Sequence, residues 1–411
     1  MKLLFVCDAK IINKTLKCPG WIRGIISRLD DDFSVTILSA GCAGSDAVEL
    51  SVEQRPVRWL GRDRWYSSAQ LASVADEEKA DVTVIFGTEK TYSLRAMELC
   101  RDAGLLNRTV LFAQGLAYAC AAHYAEGVPE RIIRRSTLRD LLRRENIRKE
   151  QKNMEARAAD EQKAITLARH FMGRTVLDRS ILRMYNSDAV YYRCNDILQS
   201  CFYEGQWRYD ACEKHRIFVS QFYYPLKGFH YLLKAVSLLK EKYPDIRIAA
   251  AGYNPILGSV TQNEIKDSSY IRYIKSLIRQ YGLEGHIELT GELDEQRMKE
   301  EYLKANVFVL PSTIENSPNS LGEAMMLGVP CVASDVGGTA DFVRHKEHAF
   351  LYPSSASYLL ANYIDELFAD PQKAAKLGEN ARKRAAVDYD AEVNKKALED
   401  AFRSIAHTEK S

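Results

Sequence analysis

The chain has 411 residues, 46% hydrophobic and 27% charged, with a formal net charge of +2. That length calls for two domains of about 150–200 residues, each with its own core. The near-neutral balance excludes a whole-molecule nucleic-acid footprint, and no apolar run reaches the ~18 residues of a membrane span.

The first residues, Met1-Lys2-Leu-Leu-Phe-Val-Cys7, are too short for the apolar core of a signal peptide and read as a strand. A cytoplasmic protein is expected, with the inner face of the plasma membrane as a place it could touch. Nine cysteines are scattered without a Cys-x-x-Cys pair, and the eight histidines form no zinc pattern, so no metal site is predicted. Strand-like runs at 3–7, 34–38, 82–86, 110–113 and 189–193 alternate with helical stretches at 21–29, 94–103 and 154–171. Such βα alternation implies a parallel sheet. Pro19-Gly20-Trp21 stands between a long loop and a helix start, where Gly20 either permits close approach to a ligand or makes a simple turn. Glu89, in Phe86-Gly-Thr-Glu89, and Gln114, in Phe112-Ala-Gln-Gly115, each follow an apolar strand and face the ligand edge of the sheet. Arg174 and Asp178 have the spacing of an i, i+4 ion pair.

Residues 130–152, ERIIRRSTLRDLLRRENIRKEQK, interleave nine Lys or Arg with six Ile or Leu. Two readings stand: a basic amphipathic surface for anionic lipid, through 131–152, or a solvated helix packing its stripe on its own domain. A polar stretch at 204–213 looks like a linker, and a second βα series follows to the strand at 307–310. The expected plan is therefore 1–203, a linker at 204–213, a second domain over 214–387, and a C-terminal helix over 388–411. Lys227 sits at a strand-to-helix turn, able to place its charge on a diphosphate.

The densest signal is VFVLPSTIENSPNSLGEAMMLGVPCVASDVGG, residues 307–338. It reads as strand, loop, short helix, Gly-Val-Pro stop, strand and Gly-Gly loop. Glu315 and Glu323 flank the loop-to-helix junction, and the amides of Ser320, Leu321 and Gly322, next to Asn319, lie in the first helical turn. Unpaired donors and the helix dipole make such a turn a phosphate site. Ser320-Leu-Gly-Glu323 fits a capping box equally well.

Glu315 to Glu323, with Pro311-Ser312 before them and Gly328-Val-Pro330 and Gly337-Gly338 after them, resemble the Glu-x7-Glu region of the retaining glycosyltransferases of family 4. Tyr224-Pro-Leu-Lys227-Gly228 resembles the family's Lys-Gly motif for the donor phosphates. Gln114-Gly115, His123-Tyr124, Gly127-Val-Pro129 and Gly173-Arg174-Thr175 resemble a bacterial surface-polysaccharide branch. The resemblance implies an α/β GT-B fold, two doubly wound Rossmann-like domains facing a cleft. It implies a nucleotide-sugar donor, UDP- favoured over GDP-, no other cofactor and no metal, and a saccharide or lipid-linked acceptor. Glu315, Lys227 and Gln114 would serve catalysis. Gly20, Gln221, Lys227, Glu315, Asn319, Ser320, Leu321 and Glu323 would hold the donor, and Glu89, His123 and Arg174 the acceptor side. Gln221 stands where the family usually has Arg, and Gln114 where many members have His. Arg174, Lys10, Lys14 and Lys17 are candidates to replace the missing charge. A 2-epimerase of the same fold and a non-catalytic subunit supporting a partner transferase are the alternatives.

Overall fold

The computed structural model describes residues 1–12, 15–44, 46–52, 54–252 and 267–408. Lys14 lies outside them. The chain forms two compact units: 1–118, 156–199 and 389–411 make the first; 119–155 and 200–388 make the second.

The first unit opens with β1 (Lys2–Cys7), a small antiparallel hairpin of β2 (Lys10–Ile12) and β3 (Thr15–Lys17), and α1 (Gly20–Arg28). It continues through β4 (Ser34–Ser39), β5 (Val48–Val52), β6 (Arg55–Leu60), α2 (Ser68–Glu77), β7 (Val82–Phe86), α3 (Ser93–Asp102) and β8 (Thr109–Phe112). After α4 (Ala117–His123), α5 (Glu130–Ile133), α6 (Leu138–Arg143) and α7 (Ile147–Leu167) come β9 (His170–Gly173), α8 (Val176–Tyr185) and β10 (Val190–Arg193). The sheet order is β10-β9-β8-β7-β1-β4-β6-β5, with only β5 antiparallel among the pairs described. Strands such as Val82–Phe86 are buried at every position, because helices cover both faces of a parallel sheet.

The second unit carries β11 (Arg216–Val219), α9 (Phe229–Ser237), β12 (Arg247–Ala251), α10 (Ser269–Tyr281), β13 (Ile287–Gly291), α11 (Glu295–Lys304) and β14 (Val307–Leu310). Next come α12 (Asn319–Met326), β15 (Cys331–Ser334), α13 (Thr339–Phe342), β16 (Phe350–Tyr352), α14 (Ser357–Ala369) and α15 (Pro371–Asp388). Its sheet is parallel, in the order β13-β12-β11-β14-β15-β16. Local chemistry sets the ends: Ser268 caps α10 by accepting from Ile271 N–H, and Gly282 closes it in the left-handed region. The last helix, α16 (Ala391–His407), starts at Asp390, whose carboxylate accepts from Glu392 and Val393 N–H.

Three expectations change. Residues 119–155 cluster with the second unit rather than with 1–203, because Asp140, 2% exposed, accepts from Ser269 N–H at 3.0 Å and Thr137 Oγ1 donates to Asp267 O at 2.8 Å. The stretch at 204–213 is packed rather than a free linker: Trp207 is buried, its N–H donating to Leu327 O and its indole N–H to Ala305 O, both at 2.7 Å. The helix predicted at 154–171 ends at Leu167, and His170–Gly173 is strand β9. The C-terminal stretch breaks at Tyr389–Asp390, and α16 clusters with the first unit.

Candidate functional site

In the second sheet, β11 and β14 are neighbours, while the chain leaves β11 toward β12 on one side and β14 toward β15 on the other. That divergence is the topological switch point of an open α/β sheet, where ligands bind beyond the carboxyl ends of the strands. The loops after β11 and β14 meet there. Thr313 N–H donates to Leu226 O at 2.8 Å. Gly228, at φ 61°, turns so close to β14 that a Cβ would fall 1.8 Å from Pro311 O; Gly337, at φ 55°, would meet Glu315 O at 1.9 Å. Only glycine fits either place.

Two predicted residues are brought into contact. Lys227 Nζ donates to Glu315 Oε1 at 2.6 Å, and Ser312 Oγ donates to the same oxygen at 2.7 Å. The Lys227 side chain is 19% exposed and that of Glu315 14%. Burial opposes the lysine's charge, but Glu315 and Tyr224 outweigh it and raise its pKa, so Lys227 is a cation at every physiological pH. Tyr224 lies with its ring 5.8 Å from Lys227 Nζ, and its hydroxyl donates to Gln221 Oε1 at 3.1 Å. Gln221 is exposed at the end of β11 and brings no charge to the site.

The start of α12 does not make the capping box, one of the two readings of Ser320-Leu-Gly-Glu323. Pro318 is its N-cap, so Glu323 falls in the second turn and cannot fold back on the helix start. The amides of Leu321 and Gly322 already bond Pro318 O, at 2.9 and 3.2 Å, which leaves those of Asn319 and Ser320 as the first-turn donors among the described residues. Ser317 Oγ and Asn319 Oδ1 are buried there without a hydrogen-bond partner, and buried polar atoms of that kind mark a place for a ligand or water. Glu323 is half-buried, and removal from water raises its pKa to about 7 against the hydrogen bond from Tyr302. Tyr302, missed in the sequence reading, has its hydroxyl 2.9 Å from both Glu323 Oε2 and Ser320 O. Its only sequence signal was an aromatic on the apolar face of α11.

In the first unit, Glu89 and Gln114 follow β7 and β8, and Gly115 N–H donates to Glu89 Oε2 at 3.2 Å. Gly20 opens α1, but the group closest to it is Gln199: an added Cβ would fall 2.0 Å from Gln199 Nε2. Arg174 is a correction. It is 1% exposed and forms an ion pair with Asp196, 2% exposed; its Nη2 donates to Ala113 O at 3.0 Å and its guanidinium lies over Phe112. A cation so enclosed neither reaches an acceptor nor replaces the charge missing at Gln221. The Asp178 carboxylate accepts from the Arg174 and Thr175 backbone N–H groups at the start of α8, while the Arg174 guanidinium pairs with Asp196. His123 lies in the second unit, its carbonyl accepting from Thr313 Oγ1 at 3.2 Å and its Nδ1 2.7 Å from Glu126 Oε2.

The basic segment divides. Ile133 and Ile147 are buried, whereas Leu138, Leu141 and Leu142 are 54%, 64% and 78% exposed. Arg134 and Arg148 pair with Glu130, and Arg139 with Asp140 and Glu145. Arg135, Arg143 and Arg144 are exposed around the leucines.

Residues 209–384 match the family described as glycosyl transferases group 1. A Bacillus subtilis (strain 168) protein, TuaC, named as a teichuronic acid biosynthesis glycosyltransferase, is 32% identical over 127 residues, 30% of this chain and 31% of its own length. The chain thus spans about a third of that relative. Sucrose-phosphate synthase from Thermosynechococcus elongatus superposes with a TM-score of 0.71 at 17% identity, over 98% of both chains. Anabaena HepE, solved in complex with UDP and glucose, superposes with a TM-score of 0.69 at 15% identity, over 98% of this chain and 100% of its own. At these identities the likeness is one of fold, and the fold is GT-B.

Proposed function

We propose, on the match of residues 209–384 to the glycosyl transferases group 1 family, that the protein moves a sugar from a nucleotide-sugar donor to a hydroxyl of a saccharide or lipid-linked saccharide, with retained anomeric configuration. The observation that carries this reading is the half-buried Lys227–Glu315 pair at the switch point of the second sheet, Glu315 standing on the loop that leads into α12. Lys227 and the amides of Asn319 and Ser320 take the diphosphate, Glu323 takes the ribose, and Glu315 orients the sugar. Glu89 and Gln114 are assigned to sugar hydroxyls of the acceptor step. A fixed cation and a helix N-terminus supply the positive charge that a departing nucleotide diphosphate needs, so the reaction is expected to run without a metal. HepE with UDP and glucose, and TuaC by its name, support a UDP-sugar and a surface polysaccharide.

The test is a panel of UDP-glucose, UDP-N-acetylglucosamine and GDP-mannose with the purified protein. A donor at a hundred times its dissociation constant stabilises by about 2.7 kcal/mol, a clear rise in melting temperature. Slow hydrolysis of that donor to nucleoside diphosphate and free sugar is the expected product pattern. Release of an isomerised sugar identifies an epimerase instead. Binding and turnover of none of the three leaves a supporting subunit.

A lipid-linked acceptor is favoured by the exposed Leu138–Leu142 face with Arg135, Arg143 and Arg144 around it. Among the described residues no helix is long and apolar enough to cross a membrane, so contact would be peripheral. The protein is expected to sediment with phosphatidylglycerol vesicles at low salt, and less as salt rises. Changing Arg134, Arg135, Arg143 and Arg144 to Gln removes about 1 kcal/mol of attraction per charge and should nearly abolish sedimentation. A wild-type protein that stays in the supernatant at low salt places the acceptor in solution.

A further inference from the structure

Tyr302 is 0% exposed, with its ring edge-on to Phe218 at 5.0 Å and to Phe308 at 5.2 Å. The packed ring fixes where its hydroxyl must stand: 2.9 Å from Ser320 O in the first turn of α12 and 2.9 Å from Glu323 Oε2 one turn on. A phenol has one proton to donate. With Glu323 ionised, one of these two short contacts sets a lone pair against an acceptor. With Glu323 protonated, the carboxyl donates to the Tyr302 oxygen, Tyr302 donates to Ser320 O, and both bonds are made. The trio therefore balances with one proton more than a free carboxylate would hold at neutral pH. The surroundings agree. Burial lifts Glu323 to a pKa of about 7, and among the described residues no cation offsets it. The other titratable groups that face the pair are the thiols of Cys201, in the turn Ser200–Tyr203 after β10, and Cys331, on β15; Glu295 and Lys299 of α11 act on Cys201.

We propose that Tyr302 is the positioning residue that aims Glu323 at the nucleotide ribose, and that donor binding drives one proton from this trio into solvent. The inference rests on the reading of Glu323 as the ribose ligand. Ribose hydroxyls are donors; they satisfy a carboxylate better than a carboxylic acid, so binding favours the ionised form. The proton leaves the Glu323 carboxyl for buffer, two ribose O–H groups take its place, and Tyr302 turns its own proton from Ser320 O onto the Glu323 carboxylate. Affinity then rises with pH up to about neutrality and levels off above it.

The experiment is calorimetric titration of the full chain with UDP-glucose, whose diphosphate does not titrate between pH 6 and 8. Buffers of different ionisation enthalpy report the protons released. Wild type is expected to bind about tenfold more tightly at pH 8 than at pH 6 and to release most of one proton at pH 6. Tyr302→Phe keeps the ring and its packing. It is expected to bind severalfold more weakly at pH 7, with a shifted pH midpoint, because the hydroxyl that pairs with the Glu323 carboxyl in both protonation states is gone. Glu323→Gln should weaken binding and abolish both pH dependence and proton release. A Tyr302→Phe protein with wild-type affinity and pH profile, but a lower melting temperature, makes Tyr302 a packing residue and overturns the proposal. Weak binding by Glu323→Gln with no proton released by wild type overturns the proton coupling and leaves the ribose reading standing. Wild-type binding by Glu323→Gln overturns the ribose reading itself, as does a wild-type protein that binds none of UDP-glucose, UDP-N-acetylglucosamine and GDP-mannose.

Discussion

Lys227→Ala is expected to lower the rate of donor cleavage by about 10²–10³-fold, while donor affinity falls much less. Charge on the leaving diphosphate grows as the sugar–phosphate bond breaks, so a cation fixed beside it acts mostly on the transition state. The lysine is also the partner of Glu315, whose oxygen it touches at 2.6 Å. Removing it leaves a carboxylate held by Ser312 alone and facing incoming phosphate. Part of the loss in affinity should therefore be repulsion, and Lys227→Ala with Glu315→Gln should bind nucleotide more tightly than Lys227→Ala does. Because the pKa of Lys227 is raised, the charge is present throughout the neutral range, and turnover should show no loss from lysine deprotonation up to pH 9. Steady-state hydrolysis of UDP-glucose, paired with titration of UDP, separates the two effects. Small and equal effects of Lys227→Ala and Lys227→Arg would remove the residue from the reaction.

The second large effect is on stability. Arg174→Ala is expected to destabilise the first unit by about 3–5 kcal/mol, because it strands the Asp196 carboxylate in the interior. Asp196 is 2% exposed, and its backbone carbonyl accepts from Asn394 of α16, so the damage should reach the last helix. Scanning calorimetry should show a lowered first transition, with donor binding by the second unit unchanged. Replacing both partners together, Arg174→Met with Asp196→Leu, should recover much of the loss, since neither charge is then left unpaired. If Arg174→Ala keeps its melting temperature and instead raises KM for acceptor, Arg174 is an acceptor ligand after all.

These two residues show what could be read from the chain beforehand and what could not. Lys227 and Glu315 lie 88 positions apart, and only the likeness to a known family put them in one site. The strand before each loop, by contrast, was plain in Ile217–Val219 and Val307–Leu310, since buried parallel strands read as unbroken apolar runs. Arg174 was misplaced because a charge after a strand looks the same whether it meets ligand or a buried partner, and Asp196 gives no sign of its burial. Strands β5 and β6 were passed over: they alternate exposed and buried positions at the sheet edge, and Pro56 breaks the pattern. Helix α7 was extended into β9 because His-Phe-Met continues its apolar positions without a Gly or Pro between. Residues 119–155 went to the wrong unit for a different reason: alternation predicts elements, but the hydrogen bonds that tie Thr137 and Asp140 to the start of α10 join positions about 130 apart.

The core of the first unit contains Phe5, Ile22, Phe33 and Phe86 together with Leu398, Phe402 and Ile405 of α16. During synthesis, then, the sheet must wait for a plug made long after its own strands. About 200 residues are translated between Gln199 and that helix, which at 5–20 residues per second is a delay of about 10–40 s. Over that interval the second unit can finish folding on the ribosome, while the apolar face around Phe5 and Phe33 stays open to chaperones. A stalled or prematurely released chain lacking 391–407 would present that face permanently, and aggregation through the first unit is the failure this order of assembly exposes it to.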